Sequence, residues 1–324
     1  MASQGNMLCC LLFSDTEFSG AQTLANLAKY ILSELERINA IVSEQLEHTK
    51  PLLEGAECIA AIGAGDSYAA ALALEACSGG TAEALDPFDA LYSGRLGRLA
   101  RKGCILVALS VGGRTRAVLD VAQRYRELGG RVVAVTGPGT PLASLANDAV
   151  ELVYTGLASG IGAARHVAML AALAGLLGAQ PQVANLDAPC ELARADAYAG
   201  ACEAYSSAHY AELKRAEVWG EAAPSHRLEQ LVHAPIYTAK TVAVYESSIA
   251  SRDRQREALE TLREAGFQVY TVPATGDCWS TILSQAAATL YCIAVRAENE
   301  KVEEPAYRRH PGLEHLTRLI YEMS

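Results

Sequence analysis

An acidic side chain and an imidazole stand sixteen residues apart in the segment EVWGEAAPSHRLEQLVHAP, residues 217–235. A partly buried Glu217 has the chemistry of a general base, and a histidine such as His233 is a residue type that suits acid–base catalysis. A continuous helix would separate the two residues by about 24 Å, so the chain must turn if they are to meet. Pro224 favours such a turn, because the residue before a proline avoids helical geometry. The alternative is a helix and a loop that carry two unrelated polar side chains.

Two glycine-rich segments have the composition of anion-binding turns. They are GAGDSY (63–68) and SVGGRT (110–115), and each follows an apolar run and precedes a helical pattern. Glycine lets the backbone approach a ligand closely, and the start of a helix attracts negative charge. Neither segment is a dinucleotide-binding fingerprint or a Walker A loop. Hydroxyl donors and a cation are available at Ser67, Ser110, Thr115 and Arg114. The alternative is structural: Ser110 and Thr115 would only cap the helix that begins at Arg114.

The pattern of strands and helices that must position these side chains predicts an α/β protein. After a predicted N-terminal helix over residues 15–49, apolar strand runs alternate with helical patterns. Continuous apolar strands between helices indicate parallel sheets covered on both faces, with ligands beyond the carboxyl ends of the strands. A linker at 178–189 precedes a second, weaker round of the same alternation. We expect three parts: an N-terminal helical segment (1–50), a first domain (51–180) and a second domain with a C-terminal tail (181–324).

Composition restricts the class of partner. The chain has 324 residues and a net charge of −10, which disfavours nucleic acid and anionic membranes but not an anionic small molecule at a local site. No uninterrupted apolar run reaches the roughly 18 residues of a membrane span. The apolar stretch MLCCLLF near the start lacks the basic residues of a signal peptide, so we interpret it as an N-terminal element. We therefore expect a cytoplasmic protein.

The cysteines give no sign of a metal or redox site. There are nine, an odd number, and no C-x-x-C pair. This pattern disfavours a zinc ribbon, an iron–sulfur site and the disulfide framework of a secreted protein. We expect most of the cysteines to be small buried hydrophobic residues. Nothing indicates a nucleotide or a flavin either, so no cofactor is predicted.

Taken together, the segments resemble those of the two-domain SIS (sugar isomerase) family. The likeness is greatest to the isomerase half of glucosamine-6-phosphate synthase and to the archaeal glucosamine-6-phosphate deaminases. GAGDSYAAAL resembles the family turn G-x-G-T-S-Y, and SVGGRT resembles its phosphate loop S-x-S-G-E-T. Residues 200–217 resemble a stretch ending in L-K-x-K-E, and LVHAP (231–235) resembles L-K-H-G-P at the family spacing. The resemblance covers roughly residues 50–324 and implies two three-layer α-β-α domains with parallel sheets.

The resemblance implies proton transfer on a hexose 6-phosphate. Glu217 falls on the catalytic glutamate, which moves a proton between C2 and C1 through an enediol, and Lys214 falls on a sugar-contacting lysine. His233 falls on the histidine that opens the sugar ring. In the family this histidine comes from the neighbouring subunit, so a homodimer with shared active sites is implied. The residues expected to bind the substrate are Gly65, Asp66, Ser67, Ser110, Gly112, Gly113, Arg114 and Thr115.

Several residues depart from the family pattern, among them Ala163, Ala164 and Arg165 in place of its S-T-K. Gly112 replaces the second serine of the phosphate loop, and one lost hydroxyl removes a hydrogen bond of roughly 1–3 kcal/mol to a charged ligand. Arg114 replaces the glutamate of that loop, and a bidentate contact from it would more than compensate. Asp66 replaces a threonine and would repel a phosphate unless it binds a sugar hydroxyl. His315 falls near a C-terminal lysine of the family; it cannot form that lysine's imine, but it could shuttle protons.

These observations predict an aldose–ketose isomerase that acts on a sugar phosphate. A close variant is deamination of an amino-sugar phosphate, which uses the same proton transfer and then loses ammonia. The alternative from another class is a non-catalytic sensor that binds a sugar phosphate, because the phosphate loop is altered and the family lysine is missing. Glu217 and His233 argue against a sensor, which has no need of a proton shuttle.

Overall fold

The computed structural model describes residues 26–156 and 160–321. The stretch MLCCLLF and the first part of the predicted N-terminal helix, 15–25, lie outside the described residues. The rest of that helix is two helices, α1 (Leu27–Leu35) and α2 (Ile38–His48). The continuous helix was a wrong prediction, because the two halves pack on different helices, Cys278–Asn299 for α1 and Ala164–Leu176 for α2.

The first domain is built on one parallel sheet. Its strands are β1 (Ile59–Ile62), β2 (Ala82–Leu85), β3 (Ile105–Ser110), β4 (Arg131–Thr136) and β5 (Asp148–Glu151). Its helices are α3 (Asp66–Cys77), α4 (Pro87–Tyr92), α5 (Arg95–Arg101), α6 (Arg116–Glu127), α7 (Pro141–Leu145) and α8 (Ala164–Leu176). The strand order is β2-β1-β3-β4-β5. Because β1 and β3 are neighbours, the turns that follow them emerge side by side.

The second domain repeats this plan with four strands. They are β6 (Ala197–Gly200), β7 (Ser225–Arg227), β8 (Thr241–Tyr245) and β9 (Gln268–Val272). The helices are α9 (Ala204–Trp219), α10 (Leu228–His233), α11 (Arg252–Glu264), α12 (Cys278–Asn299) and α13 (Leu313–Tyr321). The order β7-β6-β8-β9, all parallel, matches the first four strands of the other sheet.

The two sheets share a central layer of helices. The largest buried apolar cluster joins α3 and α8 of the first domain to α9 and α12 of the second, with α1 and α2 packed against it. Separate clusters cover the outer faces of both sheets. α8 is buried along nearly its whole length because it is apolar all round. The predicted fold class, parallel sheets with helices on both faces, is confirmed; the predicted domain boundaries stay predictions.

One described helix, α12, is long and apolar enough to cross a membrane by length and composition alone. However, 72% of its most apolar stretch is buried inside the protein, where it packs on α1, α8 and α9. Polar side chains interrupt the apolar run of α12, so the sequence contains no uninterrupted apolar stretch of that length here. Gln285, for example, donates from Nε2 to the carbonyl oxygen of Glu246 at 2.7 Å. Such burial is typical of a core helix.

The prediction that most cysteines are small buried hydrophobic residues is wrong, because most of them are paired. Six of them form three disulfides, Cys58–Cys104, Cys77–Cys278 and Cys190–Cys292. The partners are 46 to 201 positions apart, so no local spacing marks them in the sequence. The second disulfide ties α3 to α12 and thereby links the two domains. Persistent disulfides are typical of oxidising compartments and of the intracellular proteins of hyperthermophiles; the cytoplasmic location stays a prediction.

Candidate active site

The turn after β1, residues 63–66, starts α3 almost on the end of the strand. A Cβ atom on Gly63 would lie 2.5 Å from the backbone carbonyl group of Ser67, so a side chain does not fit there. Gly65 has a φ of 57°, in the left-handed region that favours glycine. α3 can therefore begin at Asp66, and this acidic side chain reaches the second domain from the end of the first sheet.

The segment after β3, residues 110–115, lies beside that turn. Ser110 is 5% exposed, and its Oγ lies 3.1 Å from Oγ1 of Thr115. α6 begins at Arg116 rather than Arg114, and Thr115 at its N-cap position makes no side-chain capping bond. The alternative in which these two hydroxyls only cap the helix is therefore wrong, because they contact each other instead. Arg114 is exposed and forms no ion pair with another described residue.

Three charged side chains meet where the two domains touch. Asp66 begins α3, whereas Lys214 and Glu217 lie one turn apart on α9. Nζ of Lys214 donates to Oδ2 of Asp66 at 2.7 Å and to Oε2 of Glu217 at 2.5 Å. The Lys214 side chain has no exposed surface, whereas that of Glu217 is 32% exposed. Glu217 is therefore reachable by a small molecule while a buried cation holds it from behind; the predicted sugar contact of Lys214 stays a prediction.

The environment of Glu217 favours a proton acceptor. Burial is the largest influence and raises the pKa of Glu217, the Lys214 ammonium opposes it, and the carboxylate of Asp66 raises the pKa again. The guanidinium of Arg165 on α8 also lowers it, and the net direction is upward. A carboxylate whose pKa lies closer to neutral pH binds a proton more strongly, which is what a general base needs.

Two aromatic residues that the sequence did not point to complete the buried side of the site. His166 stacks on Tyr210, with ring centroids 4.1 Å apart and planes at 9°. The hydroxyl of Tyr210 donates to the carbonyl oxygen of Gly162 at 2.6 Å. Burial lowers the pKa of His166 to about 4, so the ring is neutral at neutral pH. The only signal in the sequence was the interruption of an apolar stretch by Arg165 and His166.

Among the described residues, no hydrogen bond or ion pair joins Glu217 to either of the two predicted catalytic histidines. His233 ends α10, its side chain is 70% exposed, and its Nε2 lies 3.5 Å from Oε1 of Glu229. His315 is exposed on α13. At the end of α13, Tyr321 is 43% exposed, and its pKa is raised first by burial and last by the charge of Glu217. The pairing of Glu217 with His233 stays a prediction.

The second domain repeats the first turn after its own first strand, β6. A Cβ atom on Gly200 would lie 2.3 Å from the carbonyl oxygen of Ala204, the same close approach as in the first domain. Cys202 has a φ of 46° and so repeats the left-handed backbone. Glu203 consequently occupies the position that Asp66 has in the first domain. The two domains thus place a carboxylate at the same point of the same turn.

The carboxylate of Glu203 stays within its own domain. Its Oε2 accepts from the hydroxyl of Ser247 at 2.6 Å, and its Oε1 accepts from the backbone N–H of Ser248 at 2.5 Å and from the Ser248 hydroxyl at 2.8 Å. Both serines belong to the segment after β8, the counterpart of 110–115, and line a groove of about 530 Å³ beside α11. A built-in carboxylate thus already uses the hydrogen-bond donors of this segment.

The described residues offer no evident metal site. Across 26–156 and 160–321, no group of three or more His, Cys, Asp or Glu side chains is arranged to hold a metal ion. Asp66 and Glu217, the acidic pair at the domain boundary, share the cation of Lys214 instead.

Comparison with known proteins identifies the fold. No model of a known protein family matches the chain, and no curated protein matches it. Among solved structures, the C-terminal domain of glucosamine-fructose-6-phosphate aminotransferase from Francisella tularensis has a TM-score of 0.62 at 14% identity, covering 85% of this chain and 98% of its own. Glucosamine-6-phosphate deaminase from Thermotoga maritima reaches 0.59 at 15% identity (86% and 98%). Tagatose-6-phosphate ketose/aldose isomerase from Escherichia coli reaches 0.59 at 14% (86% and 93%). The chain has the two-domain SIS fold that its motifs indicated.

Proposed function

We propose that this protein of SIS fold is an aldose–ketose isomerase that acts on a hexose 6-phosphate. The observation that carries the proposal is the state of Glu217. It is one-third exposed, its pKa is raised chiefly by burial, and it is anchored by a buried Lys214 beside the turn after β1. A fixed, reachable carboxylate with increased proton affinity suits the transfer of a proton between two adjacent carbon atoms.

The proposed phosphate site is the segment after β3. Ser110 and Thr115 place two hydroxyl groups 3.1 Å apart at the start of α6, whose N-terminal end attracts anions, and exposed Arg114 stands next to them. The equivalent segment of the second domain is bonded to Glu203. These contacts support one phosphate site in each chain, on the first domain.

Glu217 would carry the proton. From the open-chain aldose it removes the proton on C2, which gives an enediol, and it returns the proton to C1 to form the ketose. The hydroxyl proton at O2 meanwhile passes to O1 through a second acid–base group. The bond from Lys214 fixes the orientation of the carboxylate during both steps.

We assign the second acid–base role, including ring opening, to His233 of the partner subunit. In one chain His233 is 70% exposed, and its Nε2 lies 3.5 Å from a carboxylate oxygen of Glu229. An exposed imidazole near the end of a helix is available to a neighbouring molecule, and imidazole is the side chain most often used for acid–base catalysis. The active protein would then be a homodimer in which each site uses residues of both chains.

The test is direct assay of the purified protein. Fructose, glucose, mannose and glucosamine 6-phosphates are supplied in turn, and products are followed by NMR together with ammonia release. We expect interconversion without ammonia, lost in Glu217→Gln. Glu257→Gln, an exposed substitution on α11 with the same change of charge, is the control and should keep activity.

The other outcomes separate the alternatives. Ammonia from glucosamine 6-phosphate would replace the isomerase by a deaminase, since the same base would serve both reactions. No turnover, with thermal stabilisation by one of the four sugar phosphates, would contradict an enzyme and support a sensor.

A further inference from the structure

The Lys214 ammonium is shared by two carboxylates of different domains. Oδ2 of Asp66 lies 2.7 Å from Nζ of Lys214, and Oε2 of Glu217 lies 2.5 Å from it. The cation has no exposed surface, so water does not screen it from either partner. One positive charge therefore faces two negative ones, and Glu217 is only partly neutralised.

The backbone at Gly162 packs closely against the carboxylate of Asp66. A Cβ atom on Gly162 would lie 1.6 Å from Oδ2 of Asp66 and 3.1 Å from Nζ of Lys214, so a side chain there would displace the pair. The carbonyl oxygen of Gly162 is itself held by the hydroxyl of Tyr210 at 2.6 Å. The place that Asp66 occupies is thus defined from both domains.

The repeated turn shows that this orientation is particular to the first domain. Glu203, at the matching position, bonds Ser247 and Ser248 of its own domain. Asp66 has one methylene fewer and points to α9 instead. The Asp66 carboxylate therefore does not accept hydrogen bonds from the segment 110–115. It contacts a side chain of the other domain instead.

We propose that Asp66 is a positioning residue for Glu217: it takes one side of the Lys214 ammonium, so that Glu217 is held in place yet remains a proton acceptor. This inference rests on the proposed role of Glu217 as the base. It differs from the sequence-based expectation for Asp66, which was contact with a sugar hydroxyl.

The charges around Glu217 agree with this role. The groups that face it come from four helices: Lys214 and Tyr210 on α9, Asp66 on α3, Arg165 on α8 and Tyr321 on α13. Burial is the main cause of the raised pKa of Glu217; Lys214 and Arg165 lower the pKa, and Asp66 raises it. Burial keeps Tyr210 protonated, because it raises the pKa of its hydroxyl well above the usual range. Removing the charge of Asp66 should therefore lower the pKa of Glu217.

The test titrates Glu217 without requiring turnover. The full-length protein is labelled with ¹³C-glutamate, and the side-chain carboxyl signal of Glu217, assigned by its loss in Glu217→Gln, is followed against pH. We expect Asp66→Asn to lower the titration midpoint by about one pH unit or more. Asp66→Thr also removes the charge with a different shape and should lower it as well. Asp253→Asn, which removes an 84% exposed carboxylate on α11, should leave it unchanged.

A midpoint that stays at the wild-type value, or rises, in either neutral variant overturns the inference. With active protein, the acidic limb of the kcat profile should move to lower pH in Asp66→Asn while KM changes little; a change in KM alone would mean substrate contact. Absence of turnover with every sugar phosphate would overturn the proposed function instead, and the NMR titration would still decide the role of Asp66.

Discussion

At the scale of single residues, the site depends on ionisable groups that are buried away from water. Lys214 is buried with two carboxylates, and removing one partner of a buried ion pair typically costs about 3–5 kcal/mol because a charge is left uncompensated. His166 is buried without an acidic side chain as hydrogen-bond partner, and its ring lies against Tyr210. The buried side of the site thus combines a shared cation with a neutral imidazole.

The neutral state of His166 predicts a dependence of stability on pH. Its pKa falls from 6.5 to about 4 on folding, so the unfolded chain binds the proton more strongly. Stability from this residue is complete above pH 6.5 and is lost as the pH falls toward 4. Between pH 7 and 4.5 the loss should be about 2–3 kcal/mol in the free energy of unfolding. His166→Gln should remove that part of the loss in urea denaturation.

The exposed His48 provides the control for this measurement. His48→Gln should lose stability with pH as the wild-type protein does. If His166→Gln also loses as much stability as the wild-type protein between the two pH values, the account of a buried neutral imidazole is wrong.

At the scale of elements, the sequence predicted the buried strands and most of the long helices. It missed the short strand β7 and the break between α1 and α2. Continuous apolar runs such as ILVALS in β3 predict buried strands from local sequence alone. β7 has three polar residues, Ser225–Arg227, and exists because β6 pairs with it. The break between α1 and α2 likewise depends on two distant helices. Elements defined by distant contacts carry no local periodicity, so a sequence pattern could not reveal them.

The segment 110–115 predicts different outcomes for two adjacent glycines. A Cβ atom on Gly112 meets nothing within 4 Å, whereas one on Gly113 would lie 2.4 Å from the side chain of Thr140. Gly112→Ser should fold normally and add a hydrogen bond to the phosphate, which lowers the KM for the sugar phosphate by about fivefold. Gly113 in addition has a φ of 58°, in the left-handed region that favours glycine. Gly113→Ser should therefore lower the free energy of unfolding by about 1–3 kcal/mol.

Steady-state kinetics and urea denaturation of both variants check this pair of predictions. A higher KM in Gly112→Ser with unchanged stability would place the phosphate elsewhere. Equal stability of the two variants would contradict the close packing at Gly113.

At the scale of the whole molecule, the two domains share a strand order but differ in what the carboxylate after their first strand binds. The resemblance of the motifs was enough to predict the SIS fold and the candidate base. The internal repeat was only suggested, because SVGGRT and its counterpart ESSIAS share almost no residues. The contact from Asp66 to Lys214 joins positions 148 apart, and the disulfides join positions up to 201 apart. Only the folded chain reveals such pairings.

Shared sites predict complementation between inactive variants. Glu217→Gln and His233→Gln should each be inactive alone. After mixing and exchange of subunits, half of the dimers are mixed, and each has one intact site made of Glu217 from one chain and His233 from the other. About a quarter of wild-type activity should return. Failure to regain activity, with subunit exchange verified by native mass spectrometry, would contradict a role of His233 across the interface.

The central claim is that Glu217 moves a proton between neighbouring carbon atoms of a sugar phosphate. The most direct measurement incubates fructose 6-phosphate with the protein in D₂O and follows deuterium at C1 of the ketose and C2 of the aldose by NMR. Because the Glu217 carboxyl is one-third exposed, the proton that it carries exchanges with solvent, and we therefore predict incorporation of deuterium with the wild-type protein and none with Glu217→Gln. Deuterium incorporation that persists in Glu217→Gln, or isomerisation by the wild-type protein without any deuterium incorporation, would contradict the role of Glu217.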